Sequence, residues 1–242
     1  MTFPSGDRPD PPAHEPASEE VGAIVVAAGL SVRMGGLDKL FAPLDGRPLL
    51  ARTLAAFQEC AAVHRVVLVL AAENLARGLA LAEEEDLTKV RTVCLGGRRR
   101  QDSVREGLEA LGACAWVVVH DGARPLVTPQ LIEEGLEAAR ETGAAVCGLP
   151  AQDTMKRVDE QGRALRTLDR RSVWLIQTPQ VFRYDILREA YERPRRTATD
   201  DAALVERLGH RVRVYPGSPR NLKVTTPEDL ALAEALLKPQ TS

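Results

Sequence analysis

The chain has 242 residues, 44% of them apolar, and a formal net charge of -2 at pH 7, enough for one large α/β domain or two small ones. The near-neutral balance gives no reason to expect nucleic acid or an anionic membrane as partner, and no apolar run is long enough to span a bilayer. The N-terminus lacks a basic segment followed by an apolar core, so it does not read as a secretory signal.

Residues 1–20 hold five prolines and five acidic residues but no Val, Ile or Leu. Such a segment cannot bury enough apolar surface to order itself and reads as a disordered tail. From Val21 onward strands and helices alternate. The run Ala23-Ile24-Val25-Val26 opens a buried strand at 23–28. It leads into Ala27-Ala28-Gly29-Leu30-Ser31-Val32-Arg33-Met34-Gly35-Gly36, with Lys39 close behind. Small residues let this backbone approach a ligand closely, and backbone N–H groups with two fixed cations suit a polyphosphate. The segment points to a nucleoside triphosphate. It has neither the Gly-Lys-Ser/Thr of a P-loop nor G-x-G-x-x-G spacing.

Further strands are expected at 63–71, 90–94, 115–119 and 144–149, with helices near 47–61, 73–85, 101–112 and 128–142. This alternation predicts a Rossmann-like three-layer sandwich, with a mostly parallel central sheet covered on both faces. Ligands of such sheets bind at the carboxyl ends of the strands. Gly97 sits in Gly96-Gly97-Arg98-Arg99-Arg100 and could let the backbone lie along a base, whose edge Ser103 could meet. Ser103 with Glu106 is also a capping-box pattern. In His120-Asp121-Gly122-Ala123-Arg124-Pro125, Asp121 at a strand end can face a ribose or Mg²⁺. Arg124 can reach a phosphate, and His120 reads as structural. Cys60, Cys94, Cys114 and Cys147 have no metal-type spacing and read as reduced core residues of a cytoplasmic protein.

Residues 153–173 break the rhythm. Two short β segments flank Asp159-Glu160-Gln161-Gly162, which reads as an exposed β-arm. Its Met155, Val158, Leu165 and Leu168 would be bare in a monomer, so the arm is expected to pack on another subunit. Helices are expected near 183–192 and 199–208, strands near 211–215 and 222–225, and a last helix from Pro227, capped by Thr226 and Asp229. Lys223, beside that helix, suits a phosphate.

The first loop together with Val119–Pro125, Asp153–Arg157, Thr178-Pro179-Gln180 and Asn221–Thr225 resembles the 2-C-methyl-D-erythritol 4-phosphate cytidylyltransferase family over about residues 21–238. The resemblance implies CMP transfer from CTP to methylerythritol 4-phosphate, with Mg²⁺. By that match Ala27, Ala28 and Gly29 would line the nucleotide, and Arg33 and Lys39 would hold the triphosphate. Gly97 and Ser103 would contact cytosine. Asp121 would face the ribose and the metal, with Gly122 and Ala123 lining the same pocket. Arg124, Thr178 and Lys223 would meet the second substrate or the reacting phosphate. Thr154 and Arg170 would reach into the partner subunit's site, implying a homodimer. Two features depart from the family pattern. The Arg33–Lys39 loop looks one residue short, and Pro219-Arg220 stand where many members carry an acid. Two other readings share much of the pattern: a cytidylyltransferase for another polyol phosphate, such as ribitol 5-phosphate, and a nucleotide-binding regulator without catalysis.

Overall fold

The computed structural model describes residues 19–29, 39–193 and 197–238. The expected tail, apart from Glu19 and Glu20, and the loop that carries Arg33 lie outside the described residues.

The first half of the chain alternates as its hydrophobic pattern requires. β1 (Val21–Ala27) is followed by a small hairpin of β2 (Pro43–Leu44) and β3 (Arg47–Pro48), then α1 (Leu49–Glu59), β4 (Arg65–Leu70), α2 (Leu75–Glu84), β5 (Val90–Leu95), α3 (Arg100–Leu111) and β6 (Trp116–Asp121). α4 (Pro129–Thr142) and β7 (Ala144–Pro150) follow. β8 (Lys156–Val158) and β9 (Ala164–Thr167) form the arm, and the chain ends with β10 (Trp174–Arg183), α5 (Tyr184–Glu192), α6 (Ala202–Arg207), β11 (Arg213–Pro216) and α7 (Pro227–Leu237).

Seven strands form one sheet in the order β11-β7-β10-β6-β1-β4-β5. β10 is antiparallel to both of its neighbours, while the other pairs are parallel. The side-chain period of two sends alternate residues of β1 to opposite faces. Val25 joins a core with Leu54 and Phe57 of α1 and Ile132 of α4. Ile24 joins a second core with Val104 and Leu108 of α3, Leu187 of α5 and Val205 of α6. These are the three layers expected from the alternation.

Four details differ from the sequence reading. Trp174–Arg183 is a strand, although Pro179 within it argues against a central one. The ladder to β7 shifts register between Ile176 and Gln180, so the proline falls where pairing is interrupted. Leu222–Thr225 is not a strand and joins no sheet. It is tied to the end of β6 by the Val224 N–H, which donates to the Ala123 carbonyl, and by the Lys223 side chain at Asp121. Ser103 and Glu106 do not form the cap of α3. The helix starts one residue after Arg99, whose N–H donates to the Asp102 carboxylate at 3.3 Å. Finally, Glu20 belongs to the folded body, because its carbonyl accepts the Ala115 and Trp116 N–H groups and its carboxylate pairs with Arg65.

The arm is a separate two-stranded ribbon turned by Gly162, whose φ of +79° favours glycine. Val158, Leu165 and Leu175, the last at the root of β10, are each more than half exposed. The four cysteine thiols are unpaired; Cys60 and Cys147 are buried, whereas Cys94 and Cys114 are only partly so.

Candidate active site

A cleft of about 720 Å³ opens across the carboxyl ends of β6, β1, β4 and β5. Ala27–Gly29 form one wall, and Leu95–Gly97 form another. The two walls nearly touch at their base. A Cβ on Gly96 would collide with the Ala28 Cβ and come within 2.8 Å of the Ser103 hydroxyl oxygen, so only glycine fits there. Ser103 Oγ accepts the Gly97 N–H at 3.1 Å and so holds the turn that ends the wall.

Asp121 is the only acid among the described residues that line this cleft. It ends β6 opposite Val26 of β1. Arg100 Nε donates to its Oδ1 at 2.9 Å, and Lys223 Nζ stands 2.8 Å from its Oδ2. Burial alone would raise this carboxyl's pKa, but Arg100 and Lys223 pull it well below the usual carboxylate range. It is therefore ionised, with one cation at each oxygen.

Behind the acid runs a buried chain of hydrogen bonds. The Asp121 N–H donates to Thr178 Oγ1 at 3.0 Å, and Thr178 Oγ1 lies 3.1 Å from His120 Nδ1. His120 Nε2 lies 3.4 Å from the Arg124 carbonyl, which can only accept, so Nε2 carries the proton and Nδ1 accepts from Thr178. Burial holds the His120 pKa down to about 3, which keeps the ring neutral. Arg124 Nη1 donates to the Asn221 carbonyl at 2.7 Å, and Asn221 Nδ2 donates to the Thr178 carbonyl at 2.8 Å. This brace sets the segment that presents Lys223. Leu44, Leu49 and Val224 pack with Ala233 of α7 and fix the same segment from outside.

The family model for 2-C-methyl-D-erythritol 4-phosphate cytidylyltransferase matches residues 21–239. A protein of that name from Dehalococcoides mccartyi is 51% identical over 221 residues, covering 91% of this chain and 97% of its own. The chain belongs to this cytidylyltransferase family. Two solved structures agree in fold. The 4-diphosphocytidyl-2C-methyl-D-erythritol synthase of Anaerococcus prevotii superposes with a TM-score of 0.81 at 30% identity, covering 90% of this chain and 96% of its own. The 2-C-methyl-D-erythritol 4-phosphate cytidylyltransferase of Thermus thermophilus gives 0.71 at 36%, covering 90% and 98%.

In this cytidylyltransferase fold the expected site residues other than Arg33, which lies outside the described residues, divide into three groups. Ala27, Ala28, Gly29, Lys39, Gly97, Ser103, Asp121, Ala123 and Lys223 all line the cleft. Gly122, Arg124 and Thr178 sit beneath the lining; the Gly122 N–H donates to the Val26 carbonyl, and Arg124 and Thr178 belong to the brace just described. Thr154 and Arg170 are exposed on the arm and do not line the cleft, and Arg170 Nη1 donates to the Gln152 carbonyl. Two contributors escaped the sequence reading, Arg100 and Asp201, while Asn221 was noticed only as part of the Asn221–Thr225 motif, with no role of its own. Arg100 hid in a run of three arginines, and Asp201 belongs to no local pattern that marks it as buried.

Proposed function

We propose that the chain transfers the cytidylyl group of CTP to 2-C-methyl-D-erythritol 4-phosphate. A phosphate oxygen of the alcohol phosphate attacks the α-phosphorus of CTP. A new P–O bond forms, the bond to the β-phosphate bridge breaks, and pyrophosphate leaves. No protein nucleophile is needed, so the chain's task is positioning and charge stabilisation. The observation that carries this reading is the Asp121–Lys223 pair at 2.8 Å on the cleft wall, at the end of β6. Lys39, Arg98, Arg99 and Arg100 line the same cleft, so several cations flank the space where phosphates would lie. Gly97 and Ser103 close the opposite wall, where the base end of a nucleotide would lie. Family membership and 51% identity to a named cytidylyltransferase support the substrate pair.

Mg²⁺ fits the residues present. It prefers one or two carboxylates together with substrate phosphates to a dedicated protein cage, and Asp121 is one carboxylate beside the path the phosphates would take. The described residues contain no cluster of three or more metal-type side chains that would demand a tighter-bound metal. Asp121 would hold the ion, which would supply charge neutralisation between phosphates. Within the same reading the enzyme is a cytoplasmic homodimer. The apolar arm and the root of β10 pack on the partner, and Thr154 and Arg170 serve the partner's cleft. No helix among the described residues is long and apolar enough to cross a membrane.

Pyrophosphate release from CTP, measured with methylerythritol 4-phosphate and with ribitol 5-phosphate, tests the proposal. Release with the first and not the second is expected. Release only with ribitol 5-phosphate would move the chain to another polyol phosphate, and no release with either, despite CTP binding, would favour a nucleotide-binding regulator.

A further inference from the structure

Arg100 links the cleft to a carboxylate that does not line it. Its Nε donates to Asp121 Oδ1 at 2.9 Å, and its Nη1 donates to Asp201 Oδ2 at 2.8 Å. Asp201 is only 1% exposed and lies in the layer formed by α5 and α6. Its other oxygen accepts the Tyr191 hydroxyl at 2.5 Å. Helix capping does not explain it, because the neighbouring Asp200 accepts the Ala203 N–H and the Gln180 side-chain amide, while Asp201 makes no side-chain cap to α6. Packing does not explain it either. A buried ion pair is often no more stabilising than apolar residues of the same volume.

What the arrangement does achieve is orientation. A guanidinium held by a carboxylate at each of two nitrogens cannot swing. Arg100 therefore fixes Asp121 Oδ1, and Oδ2 is left toward Lys223 and the cleft. Charge follows the same logic. Asp121 faces Arg100, Lys223 and, at 3.8 Å, Arg124. Asp201 is the second anion of this cluster and takes part of the Arg100 charge. Without it, three cations would face one carboxylate, which would attract a further cation poorly.

We propose that Asp201, acting through Arg100, is a positioning residue for the cleft: it sets the orientation and the residual negative charge that Asp121 offers to a metal–nucleotide complex. Tyr191 holds Asp201 in place for this task. The inference rests on the proposed cytidylyl transfer and adds to it a control point in the helical layer behind the sheet. Groups hydrogen-bonded directly to a metal ligand typically cost about 10–100-fold in metal affinity or activity when removed, and Asp201, one bond further out through Arg100, should sit at the low end of that range.

The test is Asp201→Asn, which keeps the shape and one hydrogen-bond acceptor while removing the charge. CTP binding is followed by calorimetry across a Mg²⁺ titration, beside kcat, KM and the melting temperature. The Mg²⁺ concentration for half-maximal CTP binding should rise about tenfold, while CTP binding without Mg²⁺ is unchanged or tighter. kcat should fall, measured well below the melting temperature. Tyr191→Phe should shift the Mg²⁺ requirement in the same direction but by a smaller factor than Asp201→Asn, because Asp201 keeps its charge and its bond to Arg100. That variant decides the matter if Asp201→Asn fails to fold, and an unshifted requirement in it would then overturn the inference. A folded Asp201→Asn protein with the parent Mg²⁺ requirement and kcat, whatever its melting temperature, overturns it as well. Absence of Mg²⁺-dependent CTP binding in the parent chain would instead overturn the functional reading beneath it.

Discussion

The Lys223 ammonium and the Asp121 carboxylate stand 2.8 Å apart, one offered by the segment before the last helix and the other by the end of a central strand. The pair gives the cleft a countercharge on its acid before any anion enters. A triphosphate or alcohol phosphate arriving there competes with Asp121 for Lys223, and a cation arriving with the nucleotide competes with Lys223 for Asp121. Both exchanges release an existing contact, so binding of nucleotide and metal should be coupled.

Lys223→Ala tests that coupling. Its side chain is 41% exposed but its partner Asp121 is buried, so removing it should lower the melting temperature modestly, with Arg100 still paired to the carboxylate. Its loss from the transition state should lower kcat/KM by about 10²–10³-fold, comparable to removing one preorganised donor. Steady-state kinetics beside a thermal melt separate the two effects. A folded Lys223→Ala enzyme with near-parent kcat/KM would mean that another cation serves the reacting phosphates.

The boundary of the folded body gives a second test. Removing residues 1–18 should leave stability and activity unchanged, since that stretch has no Val, Ile or Leu to contribute to a core. Removing residues 1–20 should not. It deletes the Glu20 carbonyl that accepts the Ala115 and Trp116 N–H groups, and the carboxylate paired with Arg65. Leaving two strand-end donors without their acceptor costs about 1–3 kcal/mol, or a melting temperature lower by several degrees. Equal melting of the two truncations would show that Glu20 is dispensable.

Most of the scaffold was legible because its strands are short apolar runs and its helices show one apolar face, signals that local sequence carries. What escaped was set by distant partners. The sequence reading has no strand at residues 174–183; β10 accepts Pro179 where the ladder to β7 shifts, a position set by its neighbours in the sheet. Leu222–Thr225 looks like a strand, yet it joins no sheet and is held by the Val224 N–H on the Ala123 carbonyl and by Lys223 on Asp121. The cleft lining was legible wherever glycine or a lone charge followed a strand. Arg100 and Asp201 were not, because a run of arginines and a pair of aspartates look like solvated surface until folding brings them to 2.8 Å.

His120 should make the protein sensitive to mild acid. Burial holds its pKa down to about 3 from an ordinary 6.5; the neighbouring Asp121 partly offsets this, while Arg124 and Arg100 add to it. Between these values the unfolded chain takes up a proton that the native chain refuses, so stability falls as pH drops from about 6.5 toward 3. Asp121, whose pKa is depressed, loses its contribution only as pH falls below the ordinary carboxylate value of 3.8. The interval from about pH 6.5 to 4.5 therefore isolates the histidine. Urea-unfolding midpoints should decline across it in the parent and be flatter in His120→Gln. Equal slopes in the two proteins would assign the acid sensitivity elsewhere.

The proposed composite site makes the sharpest demand on the arm. Arg170 is exposed on it and does not line the cleft, and the apolar residues Val158, Leu165 and Leu175 nearby are more than half exposed. If those residues pack on a second copy and Arg170 serves that copy's cleft, Arg170→Ala and Lys223→Ala should each be nearly inactive as homodimers. Mixed and allowed to exchange, they form heterodimers in which one cleft has both residues and the other has neither. Random exchange then restores about one quarter of the parent's sites, since half the dimers are mixed and each mixed dimer has one intact site. If Arg170 instead acted on its own protomer's cleft, every site in every combination would lack one residue and nothing would return. If Arg170 had no role, its alanine variant would be active by itself. Activity of the two variants apart and mixed, with exchange verified by mass spectrometry of tagged subunits, distinguishes all three. No recovery despite proven exchange would rule out action across the interface.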